Sequence, residues 1–375
     1  MKKKVVVLIA ILVLAIGMRA YLLADKPLSL DEPHSILYVD RSLEEMFSTI
    51  ALEYRTPVYY LSLWVLYSSF SSVLLLKVFS VLLGVVSVLG IYVLGKEIFS
   101  ERIGLLVSFL LAISPVHIAY SQYVREYSLF FLFFIFSMLF FWRAVHSNRR
   151  RDWIVLAAAN TLMFMTHFLA VLLIASQLVG LLLLKMEKKL VVVRNYLLQV
   201  GVVGVVSLPW LLFLFGKVEL LGIGNFVRAF DNNPIRIGYA LYKLSIGVNV
   251  SGFLEVFPAL LGIVIPFFAL LFLLAVRHFI LRDRERGKLL FTLLLLPMVL
   301  LFLISVALNQ SLFIYRYFSP VLVVYLLIIA AFLASIRNLR LRALGLGLLV
   351  VLYAIADLYY YSVITLPDWP AWFGI

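Results

Sequence analysis

The chain has no cysteine, only five histidines, and 19 acidic residues against 32 lysines and arginines. Without thiols, thiol catalysis, thiolate metal sites and disulfides are excluded. With so few histidines a zinc site would need the carboxylates to contribute, and no metal site is assigned. A large solvated surface is missing too. Charged residues make up 14% of the chain and hydrophobic residues 65%, with a mean hydropathy of +1.10. A soluble domain is nearer half apolar, and water would leave this much apolar surface unburied. No solenoid-period repeat and no low-complexity tract is visible.

What the sequence does have is a series of apolar runs of the length that crosses a bilayer. The net charge of +13 would ordinarily suggest nucleic acid. Here the basic residues fall in short loops between apolar runs, which is the pattern of the positive-inside rule, so no nucleic-acid partner is expected. The clusters are Lys2 to Lys4, Lys96 with Arg102, Arg143 to Arg151, Lys185 to Arg194, Arg277 to Lys288, and Arg337 to Arg342. Placing all six on the cytoplasmic side requires an even number of spans between neighbours. Spans at 5–24, 76–95, 103–120, 127–145, two within 153–185, 196–214, 256–276, 289–308, 319–336 and 343–361 meet that requirement. The apolar segment 57–74 would break the parity if it crossed, so it is expected to lie at the interface or re-enter. The expectation is an all-α polytopic protein of about eleven transmembrane helices forming one membrane domain, 1–375. Its first outer loop, 25–75, carries interfacial helices, and a second long outer loop covers 216–255. The N-terminus is expected inside, on an uncleaved anchor helix, and the C-terminus outside.

This parity gathers the non-basic polar segments on the outer side. Asp31 and Glu32 follow the first span. Asp31 suits a general base or ligand, and equally a helix N-cap ahead of Pro33. The run Ser42 to Tyr54 has apolar residues at helical spacing and Glu44, Glu45 and Glu53 beside them, as in a helix lying on a membrane surface. Arg55 stands before Pro57, where it can bind an anionic headgroup or simply anchor the interface. Arg125 breaks an apolar stretch on the side where positive charge is depleted. It is expected to pair with Glu126 or Glu32, or to bind an anion, since the guanidinium fork suits phosphate. His117 reads as a satisfied intramembrane histidine, and His167 marks a tight outer turn. Arg228, Arg236 and Lys243 lie outside against the charge rule, and Arg316 sits between Tyr315 and Tyr317. One or two carboxylates and several cations at one interface would suit a phosphorylated lipid.

The order of these motifs resembles the GT-C superfamily of polyprenyl-phosphate-sugar-dependent glycosyltransferases, within it the protein O-mannosyltransferase and aminoarabinose transferase group. The matching residues are Asp31-Glu32, RTPVYYL at Arg55 to Leu61, the long stretch Leu82 to Leu129, Thr166-His167 and RYFSP at Arg316 to Pro320. Thr56 replaces the first proline of the group's Pro-Pro pair, and a large outer domain such as some relatives carry is not expected. The resemblance implies a GT-C-like bundle and an inverting transfer from a polyprenyl-phosphate sugar to an acceptor hydroxyl on the outer face. Asp31, with Glu32 beside it, would orient or deprotonate the acceptor. Arg125, Arg316 and Arg55 would hold the donor phosphate, and Glu126 best matches a second acidic residue. His167, Tyr315 and Tyr317 are further site candidates. No cofactor is assigned; a divalent cation is admitted, and metal dependence stays open. The acceptor class stays open among glycan, lipid and protein. Two other classes compete: a polyprenyl-lipid flippase, which should carry charges deep in several helices, and a non-catalytic assembly subunit, against which the Asp31-Glu32 pair argues.

Overall fold

The computed structural model describes residues 2–29, 31–217, 233–247, 258–310 and 312–365, and every regular element among them is helical. Seven helical segments are long and apolar enough to cross a bilayer: α5 (Val73–Ile98), α8 (Tyr127–Ser147), α11 (Lys189–Lys217), part of α13 (Pro258–Arg282), α14 (Arg284–Leu308), the 3-10 turn Tyr315–Val321 continued by α15 (Leu322–Ser335), and α16 (Leu339–Val363). An eighth forms if α6 (Glu101–Ala112) and α7 (Pro115–Ser121), bent by 62°, make one broken span. The other three of the eleven expected spans correspond to α1 (Lys2–Ala20), α9 (Arg150–Phe164) and α10 (Ala170–Leu183). Their shortfall has physical reasons. α1 carries Lys2, Lys3, Lys4 and Arg19 within its 19 residues. α9 and α10 have 15 and 14 residues, or roughly 22 Å against a hydrocarbon core of about 30 Å.

Three further helices follow α1: α2 (Glu32–Val39), α3 (Leu43–Leu52) and α4 (Pro57–Phe70). α3 opens with a reciprocal capping box between Ser42 and Glu45. Its amphipathic face buries Met46, Ile50 and Ala51. α4, starting at Pro57, ends after 14 residues at Ser71, whose φ of 48° turns the chain into α5. At about 21 Å it is too short to cross by itself.

The break between α6 and α7 is held by Arg19, which is fully buried. Its guanidinium donates to the carbonyls of Leu111 at 3.1 Å and Ala112 at 2.9 Å, the freed acceptors at the end of α6. It also reaches Ser121 Oγ at 3.2 Å and His117 Nδ1 at 2.7 Å. Irregular backbone inside a membrane protein is tolerable only when its polar groups are satisfied this way. Gly84 of α5 makes room for the arrangement, because a Cβ there would lie 2.2 Å from Ser121 Oγ and 3.3 Å from Arg19 Nε.

Gly84→Val should therefore cost at least ~1–3 kcal/mol by overpacking. Thermal unfolding in detergent should show a clear drop in Tm. Gly17→Val, with nothing within 4 Å of its Cβ, should leave Tm nearly unchanged. Equal effects would remove Gly84 from this packing role.

Candidate active site

Two adjacent carboxylates at the start of α2 end in different environments. Glu32 is fully buried. Its Oε2 accepts from Lys26 Nζ at 2.6 Å and from the Ser29 backbone N–H at 2.8 Å. Its Oε1 accepts from the Val124 backbone N–H at 2.8 Å. Lys77 of α5 donates to the carbonyl of Lys26 at 2.6 Å. This knot ties the chain after α1 to the turn 122–126 between α7 and α8.

Asp31 occupies the N-cap position of α2, but its side chain makes no cap hydrogen bond. It accepts from Arg316 Nη1 at 2.7 Å instead, and the two side chains stay 36% and 27% exposed. Arg125 is almost fully buried. It donates to the Asp31 backbone carbonyl at 3.2 Å and to Ser35 Oγ at 3.5 Å, and lies 3.4 Å from Glu126. The expected Arg125–Glu126 pairing is present; among the described residues Arg125 makes no ion pair with Glu32, which is taken by Lys26.

Glu126, at the N-cap of α8, is sandwiched between Arg125 and Arg55, the latter 3.4 Å away. The Tyr60 hydroxyl donates to it at 3.3 Å. Burial alone would raise its pKa, but the Arg125 and Arg55 cations outweigh burial and push it down to about 2. Arg55 keeps a third of its side chain exposed and also faces Glu53, whose carboxylate accepts from the Tyr38 hydroxyl.

His167 is stacked on Phe130 at 4.9 Å between centroids and tilted against Tyr317 at 5.3 Å. Its Nδ1 accepts from the Leu169 N–H at 3.3 Å. Burial pushes its pKa down to about 4; Glu126 opposes the shift, while Arg55, Arg125 and Arg316 add to it. The ring is thus neutral near pH 7. With Nδ1 as acceptor, the tautomer carries its proton on Nε2. Arg316 lies over the Tyr317 ring at 5.9 Å, and Lys243 of α12 (Ile235–Ile246) lies over Tyr315 at 5.0 Å. Burial lowers the Lys243 ammonium to about 7.

The structure thus brings Asp31, Arg316, Arg125, Glu126, Arg55, His167, Tyr315 and Tyr317 to one end of the bundle. Glu32 is beside them but wholly engaged. Arg228 lies outside the described residues. Lys26, Lys77, Ser35 and Tyr60 complete the site without having been singled out by sequence. Tyr60 falls within the RTPVYYL motif, and that position was its only signal. Among the described residues no three His, Asp or Glu side chains converge as metal ligands.

Residues 55–213 match the family model described as dolichyl-phosphate-mannose-protein mannosyltransferase. ArnT from Cupriavidus metallidurans bound to undecaprenyl phosphate superposes with a TM-score of 0.62 at 13% identity, covering 99% of this chain and 74% of that one. The fold is of the GT-C type. ArnT from the same organism in the apo state gives a TM-score of 0.55 at 16% identity, covering 83% of this chain and 55% of that one. The archaeal oligosaccharyltransferase AglB from Archaeoglobus fulgidus, in complex with an inhibitory peptide and a dolichol-phosphate, gives 0.59 at 14% identity, covering 95% and 55%. The chain thus spans little more than half the length of two of these three structures. No curated protein matches it by sequence. These superpositions bear out the GT-C-like helical fold that the motifs led us to expect, with seven or eight membrane-length segments rather than eleven among the described residues.

Glu32→Gln removes the charge opposite buried Lys26 and should cost ~3–5 kcal/mol, read as a large loss of Tm. Asp31→Asn breaks a partly exposed pair and should cost less than about 1 kcal/mol. A Lys26→Met, Glu32→Gln double variant should recover part of the Glu32→Gln loss. The reverse ranking of the two single variants would contradict the division between a tying and an available carboxylate.

Proposed function

We propose that the chain is an inverting glycosyltransferase that moves a sugar from a polyprenyl-phosphate donor to an acceptor hydroxyl on the outer face of a membrane. The observation that carries this reading is the Asp31–Arg316 pair: a carboxylate and a guanidinium 2.7 Å apart and both partly exposed, at the end of a GT-C-type bundle where the other cations gather. The relatives supply the donor class, since two of their structures hold undecaprenyl phosphate and dolichol-phosphate.

In this reading Arg316 is the first contact of the donor phosphate and Arg55 the second. Arg125, spent on the Asp31 carbonyl and Glu126, acts as a positioning residue. Once phosphate engages Arg316, Asp31 is released to accept the proton of the acceptor hydroxyl. The acceptor oxygen forms its bond to the anomeric carbon as the bond from that carbon to the phosphate oxygen breaks. The electron pair leaves with polyprenyl phosphate, whose developing charge the guanidinium groups stabilise. Because phosphate leaves readily when neutralised, no general acid is required. Glu126, held ionised, contributes charge balance rather than proton transfer. Neutral His167 presents an Nε2–H donor. The basic residues of the loops then face the cytoplasm, with the N-terminus inside and the C-terminus outside.

A flippase would need charges strung along the bundle. The buried Arg19, Lys77 and Asp357 instead lie near the ends of α1, α5 and α16 that adjoin the site.

The test is donor turnover. The purified protein in nanodiscs is given a panel of radiolabelled polyprenyl-phosphate sugars, and release of label is followed. Wild type should consume one donor. Asp31→Asn should lower kcat by about 10²–10⁴-fold, the range for a positioned acid–base group, and Arg316→Ala should raise KM as well. Equal turnover by wild type and Asp31→Asn would remove Asp31 from the chemistry. Saturable donor binding without turnover on any acceptor would favour a carrier.

A further inference from the structure

α8 starts at the candidate active site and ends 21 residues later, about 31 Å away. At that far end it borders a cavity that the proposed reaction does not use. The cavity measures about 450 Å³, a volume typical of small-molecule sites. It forms where α8 turns into α9. Asn148, in the left-handed region at φ 50°, ends α8 and reverses the chain. The last turn of one helix and the first turn of the next therefore share the lining. Glu97 of α5, Trp142 and Arg143 of α8, and Arg149, Arg151 and Asp152 at the start of α9 all take part.

Both carboxylates of this lining are engaged. Glu97 accepts from Arg143 Nη2. Asp152 accepts from Ser147 Oγ, which in turn accepts from the Arg149 backbone N–H at 3.1 Å. Arg143 is held from a second direction by the Phe140 ring, 5.5 Å away. These contacts fix the turn, and they leave two guanidinium groups over. Arg149 and Arg151 are exposed, and neither has an acidic partner among the described residues.

The basic-loop rule explains why cations lie at this end. It does not explain where in the turn they stand. Arg149 is the N-cap residue of α9, and Arg150 and Arg151 are its first two residues, with no side-chain cap hydrogen bond. A helix N-terminus is the positive end of the dipole, so cations there are in the unfavourable place. An anion with several acceptor oxygens reverses the sign of that interaction. It meets the backbone N–H groups of the first turn and the planar guanidinium forks together, the combination that suits phosphate.

We propose that the cavity at the α8–α9 turn is an anion site that takes a phosphate group, from a phospholipid headgroup or from free phosphate. Arg149 and Arg151 hold its oxygens, the first N–H groups of α9 complete the contact, and Arg143, fixed against Glu97, adds positive charge to the wall.

Binding to the purified protein in neutral detergent, at constant ionic strength, tests this by titration calorimetry and thermal shift. The probes are inorganic phosphate, dioctanoyl phosphatidic acid and dioctanoyl phosphatidylcholine. All proteins carry Arg316→Ala, which removes the phosphate contact proposed for the active site. Saturable binding of phosphatidic acid well above inorganic phosphate supports the site and names a lipid headgroup. Equal affinity for the two supports it and names the free anion. Arg149→Ala with Arg151→Ala should weaken binding by roughly 25-fold, about fivefold per guanidinium. The same pair should leave the Tm without ligand equal or higher, because it removes cations from the positive end of α9. Arg337→Ala with Arg340→Ala, two exposed cations of another basic loop, should leave binding unchanged. The proposal is overturned if neither phosphate probe binds saturably, or if phosphatidylcholine binds as tightly as they do. Equal losses in the two double variants would also overturn it, since a diffuse field of the basic loops would then suffice. With Arg316 restored, donor turnover by the Arg149→Ala, Arg151→Ala protein should match wild type, so the two proposals fail separately.

Discussion

Everything at the site end depends on the buried carboxylate of Glu32. Removing a carboxylate and an ammonium from water costs several kcal/mol per ion unless each finds full hydrogen bonding. Glu32 meets that condition with Lys26 Nζ and the backbone N–H groups of Ser29 and Val124. The same contacts join three stretches distant in sequence: the end of α1, the start of α2 and the turn before α8. With Glu32 committed, α2 has one orientation. Its N-cap residue, Asp31, then faces Arg316, 285 positions away in the chain.

The electrostatics follow from that geometry. The guanidinium groups at this end are matched to carboxylates: Arg316 to Asp31, Arg55 and Arg125 to Glu126. The pairs differ in accessibility, and accessibility decides what an incoming anion can claim. Arg125 is enclosed, so exchanging its partners would strand a buried charge. Arg316 and Arg55 are partly open to solvent, so phosphate can replace their carboxylates at lower cost. In the proposed reaction, a phosphate on Arg316 would free Asp31 for an acceptor hydroxyl.

Much of this was legible in the sequence. Hydropathy located the long spans, and the side of the basic loops gathered the polar segments that the structure brings together. Asp31-Glu32, Glu126 and Arg316 stood out because charge at those places costs free energy without a partner. The division of labour between Asp31 and Glu32 was not legible. Adjacent carboxylates look alike until Lys26 and Val124 are placed around one of them. For the same reason Arg125 was expected to bind phosphate, although its side chain is spent on Asp31 and Glu126. Helix lengths near the limit of a span, in α9 and α10, were also beyond hydropathy. The buried hydrogen-bond network of Ser137, Asn160, Gln177 and Gln199 gave no signal, because single polar residues in four apolar runs reveal nothing of their mutual distance.

The central claim is that Arg316 alternates between Asp31 and a lipid phosphate. Equilibrium binding of a polyprenyl phosphate to the wild-type, Asp31→Asn and Arg316→Ala proteins tests it directly. Asp31→Asn removes the intramolecular competitor and a repelling charge, so it should bind the lipid phosphate more tightly, by about tenfold or 1.4 kcal/mol. Arg316→Ala should bind it more weakly. If Asp31→Asn bound no more tightly than wild type, or if Arg316→Ala bound equally well, the shared-guanidinium account would be wrong.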